Sequence, residues 1–118
     1  MTGPALAITG ATGFVGQALI DLASEGGIVV RALARREQAP RAGVEWVAGD
    51  LADGAALARL VDGVEAVIHV AGVVNAPDPA GFEAGNVAGT LEVLRATQAA
   101  GVPRFIHVSS LAARAPEL

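Results

Sequence analysis

The stretch AITGATGFVG, residues 7–16, decides the fold of this chain. It places Gly10, Gly13 and Gly16 three residues apart, between an apolar run at residues 5–9 and a segment with helical apolar spacing from Phe14. A short buried strand that turns through glycines into an amphipathic helix is typical of a parallel sheet covered by helices. We therefore predict a strand, a tight turn and a helix in this order.

Each of the three glycines has its own expected task. Gly10 permits the tight turn off the strand, Gly13 lets the main chain approach a phosphate without an intervening Cβ, and Gly16 lets the helix pack close to the sheet. The backbone amides around Thr12 to Val15 form the positive end of the helix, which suits the pyrophosphate of a dinucleotide. The alternative is a tight strand–helix turn with a structural role alone.

The rest of the chain alternates between strand-like and helix-like segments. Four further strands are predicted, at residues 28–34, 44–48, 66–70 and 104–108. Three helices are predicted. They are residues 14–25 with Val15, Leu19, Leu22 and Ala23 on one side, a short helix capped by Asp53, and residues 80–100, after a loop at 73–80, with Phe82, Val87, Leu91, Leu94 and Thr97 at helical intervals. This alternation predicts an α/β fold with a parallel sheet of strand order 3-2-1-4-5 and helices on both faces.

Composition narrows the functional classes. The chain has 118 residues, which suits one domain, and its net charge of −4 argues against nucleic-acid binding. It contains no cysteine, no signal-peptide pattern and no apolar stretch near twenty residues, so we expect a cytoplasmic protein without a membrane partner. His69 and His107 have apolar flanks and are expected to be strand residues, with nothing nearby to orient an imidazole. No metal site is predicted.

Several motifs together resemble the extended branch of the short-chain dehydrogenase/reductase superfamily, the NAD-dependent epimerase/dehydratase family. They are TGATGFVG, GDL at residues 49–51, VIHVAG at 67–72, NVAGTLEVLRAT from Asn86 and RFIHVSSLAAR at 104–114. The resemblance implies an incomplete NAD(P)-binding Rossmann domain over residues 1–118. The last segment looks most like relatives of 3β-hydroxysteroid dehydrogenases and sugar-nucleotide reductases.

The resemblance also implies roles for individual residues. Asp50 and Leu51 would contact the adenine, the residues Val70, Ala71 and Gly72 would line the cofactor ribose, and Ser110 matches the catalytic serine or threonine. Together with the glycine loop and two arginines, the expected cofactor-binding set is Gly10, Thr12, Gly13, Phe14, Val15, Gly16, Arg35, Arg36, Asp50, Leu51, Val70, Ala71 and Gly72. Plainer alternatives stay open: Asp50 as a turn residue, Asn86 as a helix cap rather than part of a proton relay, and Ser110 as a helix cap.

The end of the second strand indicates the choice of cofactor. An acidic residue at this position binds the ribose hydroxyls of NAD, whereas arginine accommodates the 2′-phosphate of NADP. The chain has no acid where the strand ends and has Arg35 and Arg36 just beyond it, which favours NADP. The alternative is a solvated basic turn paired with Glu37.

Two residue types that the family uses for catalysis are absent. The family's base is the tyrosine of a Tyr-x-x-x-Lys motif, and these 118 residues contain neither tyrosine nor lysine. We therefore expect an amino-terminal portion, truncated after the fifth strand, which binds dinucleotide but is inactive alone. We also expect it to self-associate through the exposed fifth strand or through swapped elements. The parent protein would act on a hydroxyl or carbonyl substrate, such as a sugar nucleotide or a steroid-like alcohol. The alternatives are a non-catalytic sensor or scaffold and a folded fragment that binds nothing.

Overall fold

The computed structural model of the chain describes residues 4–70 and 79–108, with side chains from residue 87 onward in the second range. Strands and helices alternate along these residues. In chain order they are β1 (Leu6–Thr9), α1 (Phe14–Glu25), β2 (Val30–Ala34), β3 (Val44–Ala48), α2 (Gly54–Val61), β4 (Ala66–Val70), α3 (Pro79–Ala99) and β5 (Arg104–Val108).

The five strands form one parallel sheet in the order β3-β2-β1-β4-β5, which confirms the predicted topology. In this register Thr9 lies beside His69, and His69 lies beside His107. Because all strands run the same way, their carboxyl ends share one edge of the sheet, and the loops that follow them meet there.

The alternation of side chains along each strand divides the core into two clusters on opposite faces of the sheet. The cluster on the face of Ile8 is completed by α1, through Ile20 and Ala23. The cluster on the face of Ala7 is completed by α2 and by Val93 of α3. The described helices therefore lie on both faces of the sheet, as predicted.

The buried side of α1 differs from the prediction. Gly16, Ile20 and Ala23 face the sheet, whereas Leu22 is 64% exposed. The close contact of Gly16 with the preceding loop sets the rotation of the helix, so the buried stripe runs through every fourth or third residue from that glycine. Hydrophobicity alone had placed Val15 and Leu22 on the buried side, and this was wrong.

Smaller differences concern α3 and the starts of two strands. The buried stripe of α3 is Gly89, Val93 and Thr97, while Val87 and Leu91 are largely exposed. The helix begins at Pro79, inside the predicted loop, and β1 and β2 begin one and two residues later than expected. No helix among the described residues combines the length and apolar character that crossing a bilayer requires.

Candidate functional site

The glycine loop sits where β1 ends, directly beside the end of β4. Gly10 has φ +66°, a left-handed conformation that favours glycine, and its carbonyl accepts a hydrogen bond from the Gly13 amide at 3.2 Å. A Cβ at Gly10 would lie 2.8 Å from the Val70 carbonyl oxygen and 3.0 Å from the Val70 Cβ. The tight turn predicted at Gly10 is therefore present, and the loop rests against β4.

Gly16 is required by a different contact from the one predicted. A Cβ at this position would lie 2.0 Å from the Gly10 carbonyl oxygen and 2.6 Å from the Ala11 Cα. These are backbone atoms of the loop itself, not atoms of the sheet. Gly16 therefore allows the first turn of α1 to fold back onto the loop that precedes it.

Gly13 is the one glycine of the three that the protein's own packing does not require. It is the N-cap of α1 with φ −82°, and a Cβ there would come no closer than 3.5 Å to the Gly10 carbonyl oxygen. Having no side chain, it supplies no cap to the helix. An open position that is nevertheless glycine fits a ligand that approaches the backbone, and this cradle suits a pyrophosphate.

The amino terminus of α1 leaves its amides available to an anion. The first amide bonded back into the helix is that of Gln17, which donates to the Gly13 carbonyl at 2.9 Å. The amides of Phe14 and Val15 precede it and lie at the positive end of the helix dipole. Thr12 and Gly13 are exposed, and Phe14 is 93% exposed. The loop thus has the geometry of an anion site.

The two arginines follow β2 at the same edge of the sheet. Arg35 and Arg36 are both exposed and come directly after Ala34, whose carbonyl accepts a hydrogen bond from the Gly49 amide at 3.1 Å. This bond joins the ends of β2 and β3. Across residues 4–70 and 79–108, no ion pair links either arginine to Glu37. Both arginines are exposed, as is Glu37, so a solvated basic turn and a phosphate-binding pair stay open as interpretations.

Asp50 and Leu51 follow β3. Asp50 Oδ1 accepts a hydrogen bond from the Ala52 amide at 2.8 Å, which is the turn role considered as the plainer alternative. Its carboxylate remains exposed, so this turn does not exclude an adenine contact. The Leu51 side chain packs on α3, where a Cβ at Gly89 would lie 2.7 Å from its Cδ1. Leu51 is half-buried, and its predicted contact with the adenine stays a prediction.

The expected residues beyond β4 and β5 lie largely outside the described part of the chain. Val70 is described and half-buried at the end of β4. Ala71, Gly72 and Ser110 lie outside the described residues, as does the side chain of Asn86. The roles predicted for Ala71, Gly72 and Ser110 stay predictions. Asn86 is the eighth residue of α3, so it does not cap this helix, and its part in a proton relay stays a prediction.

The imidazole of His69 was not expected to be oriented by neighbouring groups, and this was wrong. His69 is 1% exposed, its Nδ1 lies 2.7 Å from the Thr9 hydroxyl, and its Nε2 lies 3.0 Å from the Thr90 hydroxyl. Its ring also stacks on His107, with centroids 5.4 Å apart. Burial, and secondarily the charge of His107, lowers the pKa of His69 to about 4, so the imidazole is neutral near pH 7.

Sequence spacing offered only a weak signal for this arrangement. Thr9 and His69 are 60 residues apart, and Thr90 lies a further 21 residues along the chain. The predicted pairing of β1 with β4 could have indicated the contact between Thr9 and His69, because it aligns the last residue of β1 with the fourth residue of β4. The Thr90 contact depends on how α3 packs.

Comparison with known proteins places this geometry in context. The family model described as "NAD dependent epimerase/dehydratase family" matches residues 6–117. A ceramide reductase from Caulobacter vibrioides is 45% identical over 117 residues, which cover 96% of this chain and 37% of that protein.

Two solved structures from Agrobacterium tumefaciens share the fold. One is a short-chain dehydrogenase/reductase superfamily protein with bound NAD, 40% identical with a TM-score of 0.74, covering 89% of this chain and 32% of that one. The other is a uronate dehydrogenase variant complexed with NAD, 27% identical with a TM-score of 0.75, covering 89% of this chain and 40% of that one. The chain therefore spans about a third of the length of the relatives that it matches.

Proposed function

Because the chain belongs to the NAD-dependent epimerase/dehydratase family, we propose that it is the NAD(P)-binding portion of an extended short-chain dehydrogenase/reductase. The glycine loop would hold the pyrophosphate through the amides of Phe14 and Val15, and Asp50 would contact the adenosine. When bound, the nicotinamide supplies or accepts a hydride. The whole protein would oxidise a hydroxyl group of its substrate to a carbonyl group, or reduce a carbonyl to a hydroxyl. The name of the ceramide reductase relative supports an oxidoreductase.

One observation carries this proposal. Gly10 and Gly16 are fixed by close contacts with backbone atoms of the chain, but a Cβ at Gly13 would make only an ordinary contact, 3.5 Å from the Gly10 carbonyl oxygen, at the amino terminus of α1. A ligand with a diphosphate group supplies the missing reason for glycine, since a methyl group there would stand between the phosphate and the amides.

The test is a Gly13→Ala substitution with nucleotide binding followed by calorimetry. We expect affinity for NADPH or NADH to fall by about tenfold or more, the equivalent of one lost charge-assisted hydrogen bond. The free energy of unfolding should change by only about 1 kcal/mol or less, because no clash arises and alanine is merely a poorer N-cap.

Gly54→Ala is the matched control. Gly54 is also at the start of a helix, α2, and has no atom within 4 Å of an added Cβ. This variant should bind dinucleotide like the unsubstituted chain. If the unsubstituted chain, folded by circular dichroism, binds neither dinucleotide, the proposed function is wrong and the chain is a folded unit that does not bind the cofactor.

We further propose a preference for NADP. Arg35 and Arg36 are exposed just beyond β2, and a planar guanidinium binds a phosphate dianion through paired hydrogen bonds. Replacing both with alanine should weaken NADPH binding by about tenfold and leave NADH binding nearly unchanged. The two solved relatives contain bound NAD, so the affinity of this chain must be measured for both cofactors. Tighter binding of NADH than of NADPH by the unsubstituted chain would reverse the preference.

We propose that these 118 residues alone bind the cofactor without turning it over. They contain no tyrosine to act as a phenolic base and no lysine to lower its pKa. Ser110, if it takes the family's role, would position a substrate but not abstract a proton. Incubation of the chain with NADPH and a panel of ketones should leave the absorbance of the reduced nicotinamide unchanged. Oxidation of NADPH coupled to reduction of a ketone would contradict this. A non-catalytic sensor would give the same result, and only the activity of the longer protein separates the two.

We also propose self-association through β5. This strand lies at the edge of the described sheet, and Ile106 is 47% exposed. Sedimentation should show a mass that rises with concentration, and Ile106→Lys should shift the chain towards the monomer. A monomer at all concentrations would contradict this proposal.

A further inference from the structure

His69 connects three elements at the edge of the sheet where the glycine loop begins. Its Nδ1 meets the Thr9 hydroxyl of β1, and its Nε2 meets the Thr90 hydroxyl of α3. Each hydroxyl can donate or accept, so either neutral tautomer of the imidazole has both nitrogens paired. The buried ring is held from both sides.

The Thr9 hydroxyl has a second partner on β4. It accepts a hydrogen bond from the Val70 amide at 3.1 Å, so Thr9 is bonded to two consecutive residues of the neighbouring strand. The next residue along the chain is Gly10, which has no space for a Cβ against Val70. The position of the glycine loop relative to β4 therefore depends on these hydrogen bonds.

We propose that His69 is a positioning residue for the dinucleotide: through Thr9 it holds the start of the glycine loop against β4, so that the amides that follow Gly13 point at the pyrophosphate. This inference rests on the proposed function. It assigns different tasks to the two ends of the imidazole. The Nδ1 contact with Thr9 sets nucleotide affinity, whereas the Nε2 contact with Thr90 anchors the ring to α3.

The first test removes one hydroxyl at a time. Thr9→Val keeps the shape of the side chain and should weaken NADPH binding by about tenfold, since the loop loses its hydrogen bonds to β4. Thr9→Ser keeps the hydroxyl and should restore affinity to within about threefold of the unsubstituted chain. Thr90→Val is the matched control: it should lower stability without lowering affinity.

The second test uses the two amide side chains at His69. In asparagine the amide lies near the position of Nδ1, and in glutamine it lies near that of Nε2. His69→Asn should therefore retain more affinity than His69→Gln, by about fivefold or more, although both lose stability. This pair decides the question if Thr9→Val does not fold.

Stability and binding can be measured independently in this chain. Trp46 is the sole tryptophan and packs in the cluster on the α1 face, so its fluorescence reports unfolding in urea. Binding is compared under conditions where each variant is folded. If affinity follows stability in every variant, or if Thr90→Val loses as much affinity as Thr9→Val, His69 has only a structural role and the inference is wrong. If the unsubstituted chain binds no dinucleotide, the proposed function fails and this inference fails with it.

Discussion

The carboxyl terminus of α2 and the amino terminus of α1 lie at opposite ends of the parallel sheet, and they differ in whether a side chain caps them. At the amino end, the Arg31 guanidinium caps the carboxyl terminus of α2: its Nη1 donates to the carbonyls of Arg59 at 2.8 Å, Leu60 at 3.3 Å and Asp62 at 2.7 Å. At the carboxyl end, the amino terminus of α1 has no side-chain cap. The protein caps the first of these helix ends with a side chain and leaves the second without one.

This difference separates stability from binding within a single sheet. Arg31 also pairs with Glu45 at 3.0 Å and has a side chain only 14% exposed, so it joins β2, β3 and α2. The glycine loop contacts β4 through Gly10 and the core cluster on the α1 face through the buried Ala11, while Thr12 and Gly13 are exposed. Substitutions at Arg31 should therefore change the free energy of unfolding alone, whereas those in the glycine loop should also change nucleotide affinity.

The largest expected effect comes from Gly16→Ala. The added methyl group would overlap the Gly10 carbonyl oxygen and the Ala11 Cα, and neither backbone atom can move without opening the turn. We expect a loss of about 3 kcal/mol or more in the free energy of unfolding, together with loss of nucleotide binding. Urea unfolding followed by Trp46 fluorescence measures the free energy of unfolding, and calorimetry measures nucleotide binding. A loss below about 1 kcal/mol would show that the loop adapts and that the contact at Gly16 does not fix it.

Acid should act next most strongly, through His69 at the carboxyl end. The pKa is about 4 in the folded protein and 6.5 when exposed, so the unfolded chain binds the proton more tightly and acid favours unfolding. The free energy of unfolding is therefore not lowered by His69 above pH 6.5, and it falls as the pH drops towards 4. The difference amounts to up to about 3 kcal/mol. Among the described residues, His107 is the titratable group whose charge contributes to this shift.

The pH prediction is checked by urea unfolding at a series of pH values between 7 and about 4. Carboxylates also titrate near the lower end, so the same series is run on His69→Asn, which lacks the imidazole. The unsubstituted chain should lose more stability with acid than this variant does. Parallel curves would show that the buried imidazole contributes nothing to the pH dependence.

Arg31→Ala tests the amino end. It should lower the free energy of unfolding by about 2 kcal/mol, because the last turn of α2 loses a charged donor that is mostly shielded from solvent. Nucleotide affinity should not change. Arg95→Ala is the control: Arg95 pairs with Glu92 on the exposed surface of α3, and its loss should cost less than about 0.5 kcal/mol. Weaker nucleotide binding by Arg31→Ala would contradict the separation of the two ends.

The smallest expected effect concerns a cap at the carboxyl end. Asp53 Oδ1 accepts a hydrogen bond from the Ala56 amide at 3.0 Å, which caps α2 as the sequence predicted. Asp53→Ala should cost about 1 kcal/mol in thermal or urea unfolding. Because this helix end is already capped by the protein, nucleotide affinity should stay the same. A marked loss of affinity would place the start of α2 within the binding site.

Local patterns in the sequence were sufficient for most of the secondary structure. β3, β4, β5 and α1 have the predicted bounds, because their apolar runs are bordered by glycine, proline and aspartate, which end elements for local reasons. The strand order also followed, since a strand–helix alternation with one glycine-rich turn allows few arrangements. The glycine loop lies between β1 and α1 as predicted, because a single continuous stretch of sequence contains the strand end, the turn and the helix start.

Contacts between distant segments could not be predicted in the same way. Hydrophobicity could not show that Leu22 faces solvent, because the close approach of Gly16 to the Gly10 backbone sets the rotation of α1. The three hydrogen bonds that Arg31 makes to the end of α2 depend on a helix 28 to 31 residues away. The orienting partners of His69 likewise come from two other elements.

The sequence by itself determined the strand–turn–helix unit, the sheet order and the position of the glycine loop. These depend on backbone preferences and short-range periodicity, which act within a few residues. Only the tertiary structure decided which glycines the fold requires, which helix end the protein caps and which hydroxyls hold the buried imidazole. Those outcomes depend on how closely backbone and side-chain atoms approach one another in the folded chain, and packing sets such distances.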